Sequence, residues 1–384
     1  MRVFVATGEA SGDMLAAALA DAMRECVPEI VFAGVGGERM AAAGFSLTTR
    51  TTGWAAMGPI EALRRIPPLF ANVWRHAFWM RARPWDLVVL VDFGAYNLRF
   101  AKTLRLLGYR APILYLMPPG AWLDKPTQAA AVARYTTALT AFEHQRDFYT
   151  RLGLPIAYFG HPLVTLVSPR APRPTAPADG GEVALLPGSR RGELERHLPP
   201  LLAALRIVRR KRPHATFTLG AADSEAEATI ARVLGATFLP AFGGRGLGLR
   251  IVRGARAALE GADAAWIASG TAVLEACLLE VPTVALYVLA RAQVAIAKRV
   301  WRNPFITLPN ILAGAEIVPE LVQDAVTPQA LASAIEALLE DPRGQLAGMR
   351  AVRASLGPKD ALERCAAFAT DLAARSSHRA KANA

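Results

Sequence analysis

Cysteine is scarce in this sequence, with three residues among 384: Cys26, Cys277 and Cys365. They lie far apart in apolar, helix-like surroundings, so no disulfide framework and no metal-ligand spacing can be built from them. They read as reduced packing residues of a cytoplasmic protein. Long apolar runs are missing too: the stretch from Thr283 to Ala297 is short and broken by Arg291, which argues against a membrane span. The N-terminus enters a strand pattern directly at Arg2-Val3-Phe4-Val5-Ala6, so no secretory signal is expected. No Lys/Arg block and no Gly-Arg tail occur, which speaks against a nucleic-acid partner. Neither G-x-G-x-x-G nor the P-loop lysine motif is found, and no internal repeat is visible.

What the chain does have is apolar content, 53% of residues, and enough length for two domains with large cores. Its net charge of +12 calls for an anionic partner, a phosphorylated substrate or a membrane surface. Short apolar runs alternate with helical patterns. In the first half the runs are Val3–Ala6, Ile30–Val35, Leu87–Val91, Ile113–Leu116, Ala138–Phe142 and Ile156–Phe159. In the second they are Val183–Leu186, Thr216–Leu219, Ile251–Val252, Ala264–Ala268 and Thr283–Tyr287. Segments long enough for crossover helices separate them, which predicts parallel sheets covered on both faces. A stretch carrying Pro169, Pro172, Pro174 and Pro177 reads as a linker. The predicted division is a first domain over 1–168, a linker over 169–181 and a second domain over 182–345. Helices over 346–375 return to the first domain, and a frayed tail follows. The fold class is α/β, two doubly wound Rossmann-like domains facing a cleft, with ligands at the carboxyl ends of the strands.

The turns at those strand ends carry the chemistry. Val183–Leu186 stops at Pro187-Gly188, and helical composition follows from Glu193 to Arg210. Gly188 lets a backbone approach a ligand, Ser189 is placed to cap the helix, and Arg190 adds charge; the first turn of such a helix suits phosphate. A scaffolding turn would look similar. The pattern recurs at Ser269-Gly270-Thr271, whose N–H and O–H groups suit a diphosphate, with Glu275 one turn later placed to accept both hydroxyls of a ribose. Asn310, in Thr307 to Gly314, is a further polar contact. In the first half, Thr7-Gly8-Glu9-Ala10-Ser11-Gly12-Asp13 opens a helix, with Ser11 or Asp13 as its cap, and Glu9 there disfavours a phosphate. Asp92, ending a buried strand, is placed as a general base or as a cap. His161, in Gly160-His161-Pro162, is a ligand contact or a turn residue.

Together with Met57-Gly58-x-x-Glu61, Leu308-Pro309-Asn310 and Leu312-Ala313-Gly314, these motifs resemble lipid-A-disaccharide synthase, in the family's order and over nearly the whole chain. The resemblance implies an inverting GT-B glycosyltransferase that uses neither metal nor cofactor. It would move 2,3-diacylglucosamine from UDP to 2,3-diacylglucosamine 1-phosphate, giving the β-1,6 disaccharide. It implies a UDP-diacylglucosamine donor held by Gly188, Ser189, Arg190, Ser269, Gly270, Thr271, Glu275 and Asn310. The acceptor is an acyl-sugar phosphate, and Asp92, Glu9 and His161 are the catalytic candidates. A homodimer is left open.

The departures concentrate in the first domain. The family's Asp-x-Pro-Asp-Phe-Asn is Asp92-Phe93-Gly94-Ala95-Tyr96-Asn97 here, without the second carboxylate. Its Trp-Ala-Trp-Arg region appears as Gly120-Ala121-Trp122-Leu123-Asp124-Lys125, and a basic residue after Tyr287 is Val288. Another lipid or sugar acceptor, a UDP-sugar epimerase and an inactive scaffold are the competing functions. From Pro59 to Arg83, apolar and aromatic residues (Trp74, Phe78 and Trp79 among them) interleave with Arg64, Arg65, Arg75, Arg81 and Arg83. Such a segment suits the interface of an anionic bilayer, and its apolar face suits a core equally. The expected location is cytoplasmic, peripheral to the inner membrane.

Overall fold

In a computed structural model, residues 1–51, 71–83, 85–119, 125–171, 179–237, 248–291, 293–295 and 303–382 are described. Met57-Gly58-x-x-Glu61, most of the Trp122 region and the part of the aromatic-basic stretch before residue 71 lie outside them. The chain divides into two compact units. The first draws on Met1–Ala55, Ile60–Leu166 and Leu356–Ala384, the second on Val167–Ser355.

The first unit is built on seven strands: β1 (Arg2–Ala6), β2 (Val31–Gly36), β3 (Ser46–Arg50), β4 (Leu87–Val91), β5 (Ile113–Leu116), β6 (Thr137–Thr140) and β7 (Ala157–Tyr158). All pair in parallel, in the order β3-β2-β1-β4-β5-β6-β7. Every residue of β4 and β5 is buried, as central strands between two helical layers require. Phe4, Trp85, Tyr96, Phe100 and Tyr115 fill the layer beside them.

The second unit repeats the topology with β8 (Glu182–Leu186), β9 (Thr216–Ala221), β10 (Leu249–Arg253), β11 (Ala264–Ala268), β12 (Thr283–Tyr287) and β13 (Glu320–Val322). The order is β10-β9-β8-β11-β12-β13, again all parallel. Trp266 is fully buried, stacks on Phe217 at 6.5 Å and donates its indole N–H to Leu331 O at 3.0 Å. In both sheets the chain runs outward from a founding strand, β1 or β8, and then reverses to its other side, at β4 or β11. At that reversal neighbouring loops part and leave a crevice beyond the carboxyl ends of the strands.

Two strands escape the apolar pattern. β3 and β13 sit at sheet edges, one reading Ser-Leu-Thr-Thr-Arg and the other only three residues long, and a half-solvated edge needs no apolar run. The C-terminal helices also part company. Of the stretch 346–375 expected to return to the first domain, the part in the helix Arg343–Ser355 groups with the second unit. There Gln345 brackets Thr283, and Arg353 Nη1 donates to Val167 O at 2.9 Å and Leu278 O at 3.0 Å. The helix Ala361–Ala382 belongs to the first unit, packing on Ala10–Cys26 and burying Leu362, Cys365, Ala366, Ala369 and Ala373.

Candidate functional site

In the second unit the crevice at the reversal is bordered by the turns after β8 and β11. Gly188 has φ +114°, and a Cβ on it would lie 2.5 Å from Glu193 Oε2, so only glycine makes this turn without strain. The helix Arg191–Lys211 follows, and its N-cap is Arg190 rather than Ser189. The cap is supplied in reverse by Glu193, which accepts from Arg190 N at 3.3 Å and faces Arg190 Nη1 at 3.5 Å. Tyr287 at the end of β12 donates its hydroxyl to the same carboxylate at 3.0 Å. His197 ties the two strand ends together: Nδ1 meets Pro187 O at 2.7 Å, and Nε2 accepts from Val288 N at 2.9 Å. A carbonyl can only accept and a main-chain N–H can only donate, so the ring is neutral with its proton on Nδ1. Burial lowers its pKa in keeping with that.

After β11, Gly270 is the N-cap of the helix Thr271–Leu279 and uses no side chain to cap it. Ser269 donates its hydroxyl to Ile306 O at 2.8 Å, so the O–H donor expected there for a ligand holds a neighbouring loop instead. Thr271 and Glu275, both half-buried, stand on the first turns of this helix. Asn310, expected as a further polar contact, sits in the helix just before β13. It is fully buried, Nδ2 donates to Val318 O at 2.7 Å and Glu320 Oε1 at 2.8 Å, and Oδ1 accepts from Ile317 N and Val318 N. With every polar atom of the side chain engaged, the amide braces the loop before β13.

In the first unit, Glu9 follows β1 and Asp92 follows β4, the two strands that flank the reversal. Asp92 and Phe93 hold φ of 48° and 46°, consecutive left-handed residues with side chains, a strained arrangement that accumulates at functional sites. Asn97 holds them there: its Nδ2 donates to Ala6 O, Val91 O and Asp92 O at 3.3, 3.1 and 2.8 Å, and Tyr115 donates its hydroxyl to Asp92 O at 2.9 Å. The helix Ala10–Cys26 is capped at Glu9, without a side-chain bond, and not by Ser11 or Asp13. Asp13 points out of it and accepts from Gly37 N, Arg39 N and Met40 N at 2.6, 2.8 and 3.3 Å, capping the next helix. His161 lies elsewhere, beyond β7 at the sheet edge. It is 1% exposed, its Nδ1 accepts from Leu163 N at 3.2 Å, and burial pushes it down to about 3. A base that far from the reversal and that weakly basic fits a turn residue.

The lipid-A-disaccharide synthetase family matches this sequence over residues 3–364. Lipid-A-disaccharide synthase of Pseudomonas aeruginosa (strain UCBPP-PA14) is 36% identical, covering 93% of this chain and 94% of its own. That of Azotobacter vinelandii is 36% identical, covering 98% and 99%. The chain belongs to the lipid-A-disaccharide synthase family. It is therefore a glycosyltransferase, and the scaffold and epimerase readings fall away. Among solved structures, the UDP-GlcNAc 2-epimerase of Methanocaldococcus jannaschii aligns with TM-score 0.62 and 12% identity over 96% of this chain and 99% of that one. Spinosyn rhamnosyltransferase aligns with TM-score 0.53 and 15% identity over 95% and 99%. These likenesses are of fold, the two-domain GT-B architecture that the synthase family shares.

Three residues that shape the turn after β8, Glu193, His197 and Tyr287, are not among the candidates the sequence offers. Only Glu193 leaves a readable signal, a glutamate three positions after the residue that precedes the helix. The contacts of His197 and Tyr287 reach across the sheet, and no local pattern announces them.

Proposed function

We propose that this chain transfers 2,3-diacylglucosamine from UDP to 2,3-diacylglucosamine 1-phosphate, inverting the anomeric carbon and releasing UDP. The observation that supports this most is placement: Glu9 and Asp92 on the first unit, and Gly188 to Arg190 and Ser269 to Thr271 on the second, follow the strands that flank the reversal of each sheet. Asp92 takes the proton of the acceptor hydroxyl as its oxygen bonds to the anomeric carbon. The bond to UDP breaks, and its electron pair leaves with the diphosphate. Arg190, the main chain after Gly188 and Gly270, and the Thr271 hydroxyl meet that charge with donors already in position. Glu275 accepts from the ribose hydroxyls, and Glu9 orients the acceptor.

The test is mass spectrometry of products from one UDP-diacylglucosamine donor offered equal concentrations of several lipid phosphates. Diacylglucosamine 1-phosphate is expected to give the main product, with no effect of chelator. Preference for a lipid without the glucosamine phosphate head would refute the acceptor and leave the donor site standing.

The substrates carry acyl chains, and the helix over 71–81 suits a peripheral place on an anionic inner-membrane surface. Its face Val73, Ala77 and Met80 is core, whereas Trp74 and Phe78 are 43% and 55% exposed with rings 5.9 Å apart. Among the described residues no helix is long and apolar enough to cross a membrane. Replacing Trp74 and Phe78 together by serine should reduce flotation with anionic vesicles and leave UDP binding intact. Undiminished flotation would count against this surface.

A further inference from the structure

The positive charge at the turn after β8 is less available than the sequence suggests. Arg190 Nη1 faces Glu193 Oε1 at 3.5 Å, and Glu193 is only 8% exposed. Arg191 pairs with Glu195 at 2.9 Å. Each arginine of the turn thus sits against a carboxylate, Glu195 being shared with Arg232 at 3.1 Å, so a ligand carrying a diphosphate would meet a turn whose positive charge is partly offset.

Arg196 changes that sum. It donates through Nε to Val288 O at 2.8 Å, at the end of β12. Its Nη1 lies 3.1 Å from where a Cβ on Gly192 would be, in the first turn of the helix Arg191–Lys211. The guanidinium therefore lies between the start of that helix and the carboxyl end of β12. Arg190 and Arg196 also act together on one group. Burial raises the Tyr287 hydroxyl to about 12, Glu193 adds to the rise, and the two arginines oppose it. With Nε held by the main chain, the guanidinium fork is already oriented, so it loses little freedom on taking a phosphate.

We propose that Arg196 is the second cation of the donor site, holding the diphosphate together with Arg190. The proposal rests on the UDP-sugar donor reading above.

Calorimetry on the full chain with UDP and UMP, and ligand-observed NMR with uridine, test it. Arg196→Gln keeps a side-chain N–H for Val288 O and removes the charge. It should weaken UDP by roughly ten-fold to a hundred-fold, the range of a charged hydrogen bond, and leave uridine at its wild-type affinity. The salt dependence of UDP binding should become shallower. Arg196→Lys, which keeps the charge, should lose less. An equal loss for UDP and uridine would show that Arg196 only braces the main chain at Val288, and would overturn the proposal. Unchanged UDP affinity in Arg196→Gln would overturn it as well. A wild-type chain that binds no UDP would overturn the donor reading itself, which keeps the two failures apart.

Discussion

Asp92 and Phe93 sit in the left-handed region although neither is glycine, at a cost of about 1–2 kcal/mol each. What maintains them is a set of hydrogen bonds from Asn97 and Tyr115 to the Asp92 carbonyl and its neighbours. Such a turn presents one carboxylate in one direction. Asp92→Asn should keep UDP affinity and lose about a hundred-fold or more in turnover, as removal of a general base does. Turnover within a few-fold of wild type would place the base elsewhere, with Glu9 next. Two histidines of the same unit add a pH dependence. Burial, helped by Arg75, holds His76 at about 4, and burial holds His161 at about 3, both below the ordinary 6.5. Below pH 6.5 the unfolded chain takes protons that the folded unit refuses. The stability is therefore full above that value and is lost as pH falls toward the folded values, by on the order of a few kcal/mol. The denaturation midpoint of the first unit should drop between about pH 7.5 and about pH 5, and less so in His161→Gln. A flat profile in the wild type would refute this.

Among elements, the strand-turn-helix units at β8 and β11 do most to shape the donor side. At the first of them the Glu193 side chain lies where a Cβ on Gly188 would have to go, 2.5 Å from Oε2. Gly188→Ala adds a methyl group that must displace Glu193, and with it the N-cap contact and the Tyr287 bond. The left-handed penalty adds roughly 1 kcal/mol. UDP affinity should fall by about ten-fold or more with the fold retained, because the damage is confined to one turn. Near-wild-type UDP binding with the alanine in place would mean that the turn does not contact the diphosphate. The same turn explains why Ser189, a good cap by residue type, does not cap: Glu193 reaches back and serves the helix start first.

At the scale of the molecule, the last helix completes the first unit although it is farthest from it in sequence. His161 N donates to Leu356 O at 2.7 Å, and Thr165 Oγ1 donates to Lys359 O at 2.6 Å, fixing the returning segment. Beyond it, Leu362, Cys365 and four alanines are buried at 5% exposure or less. Removing residues 356–384 would uncover the helix Ala10–Cys26, at a cost of several kcal/mol by apolar area. Limited proteolysis should then digest the first unit and leave a fragment of the second. A truncated chain whose first unit resists protease as the full chain does would show that the helix is dispensable.

The class of fold is legible in the sequence, because buried parallel strands must be written as apolar runs, as Leu87–Val91 and Ala264–Ala268 are. So is the family, because Gly188, Ser269-Gly270-Thr271 and Asp92 keep their order at strand ends. Edge strands β3 and β13 were hidden, since an edge half-open to water tolerates polar residues. What each polar side chain does depends on contacts made across the fold. Asn310 and Ser269 have the chemistry of ligand contacts, yet their hydrogen-bonding groups close on Val318, Glu320 and Ile306. His197 and Arg196, silent in the sequence, meet Val288 from a helix 91 and 92 positions away along the chain. Burying a polar group requires a partner, and that partner is chosen by which strand ends the sheet brings side by side, a choice no local pattern records.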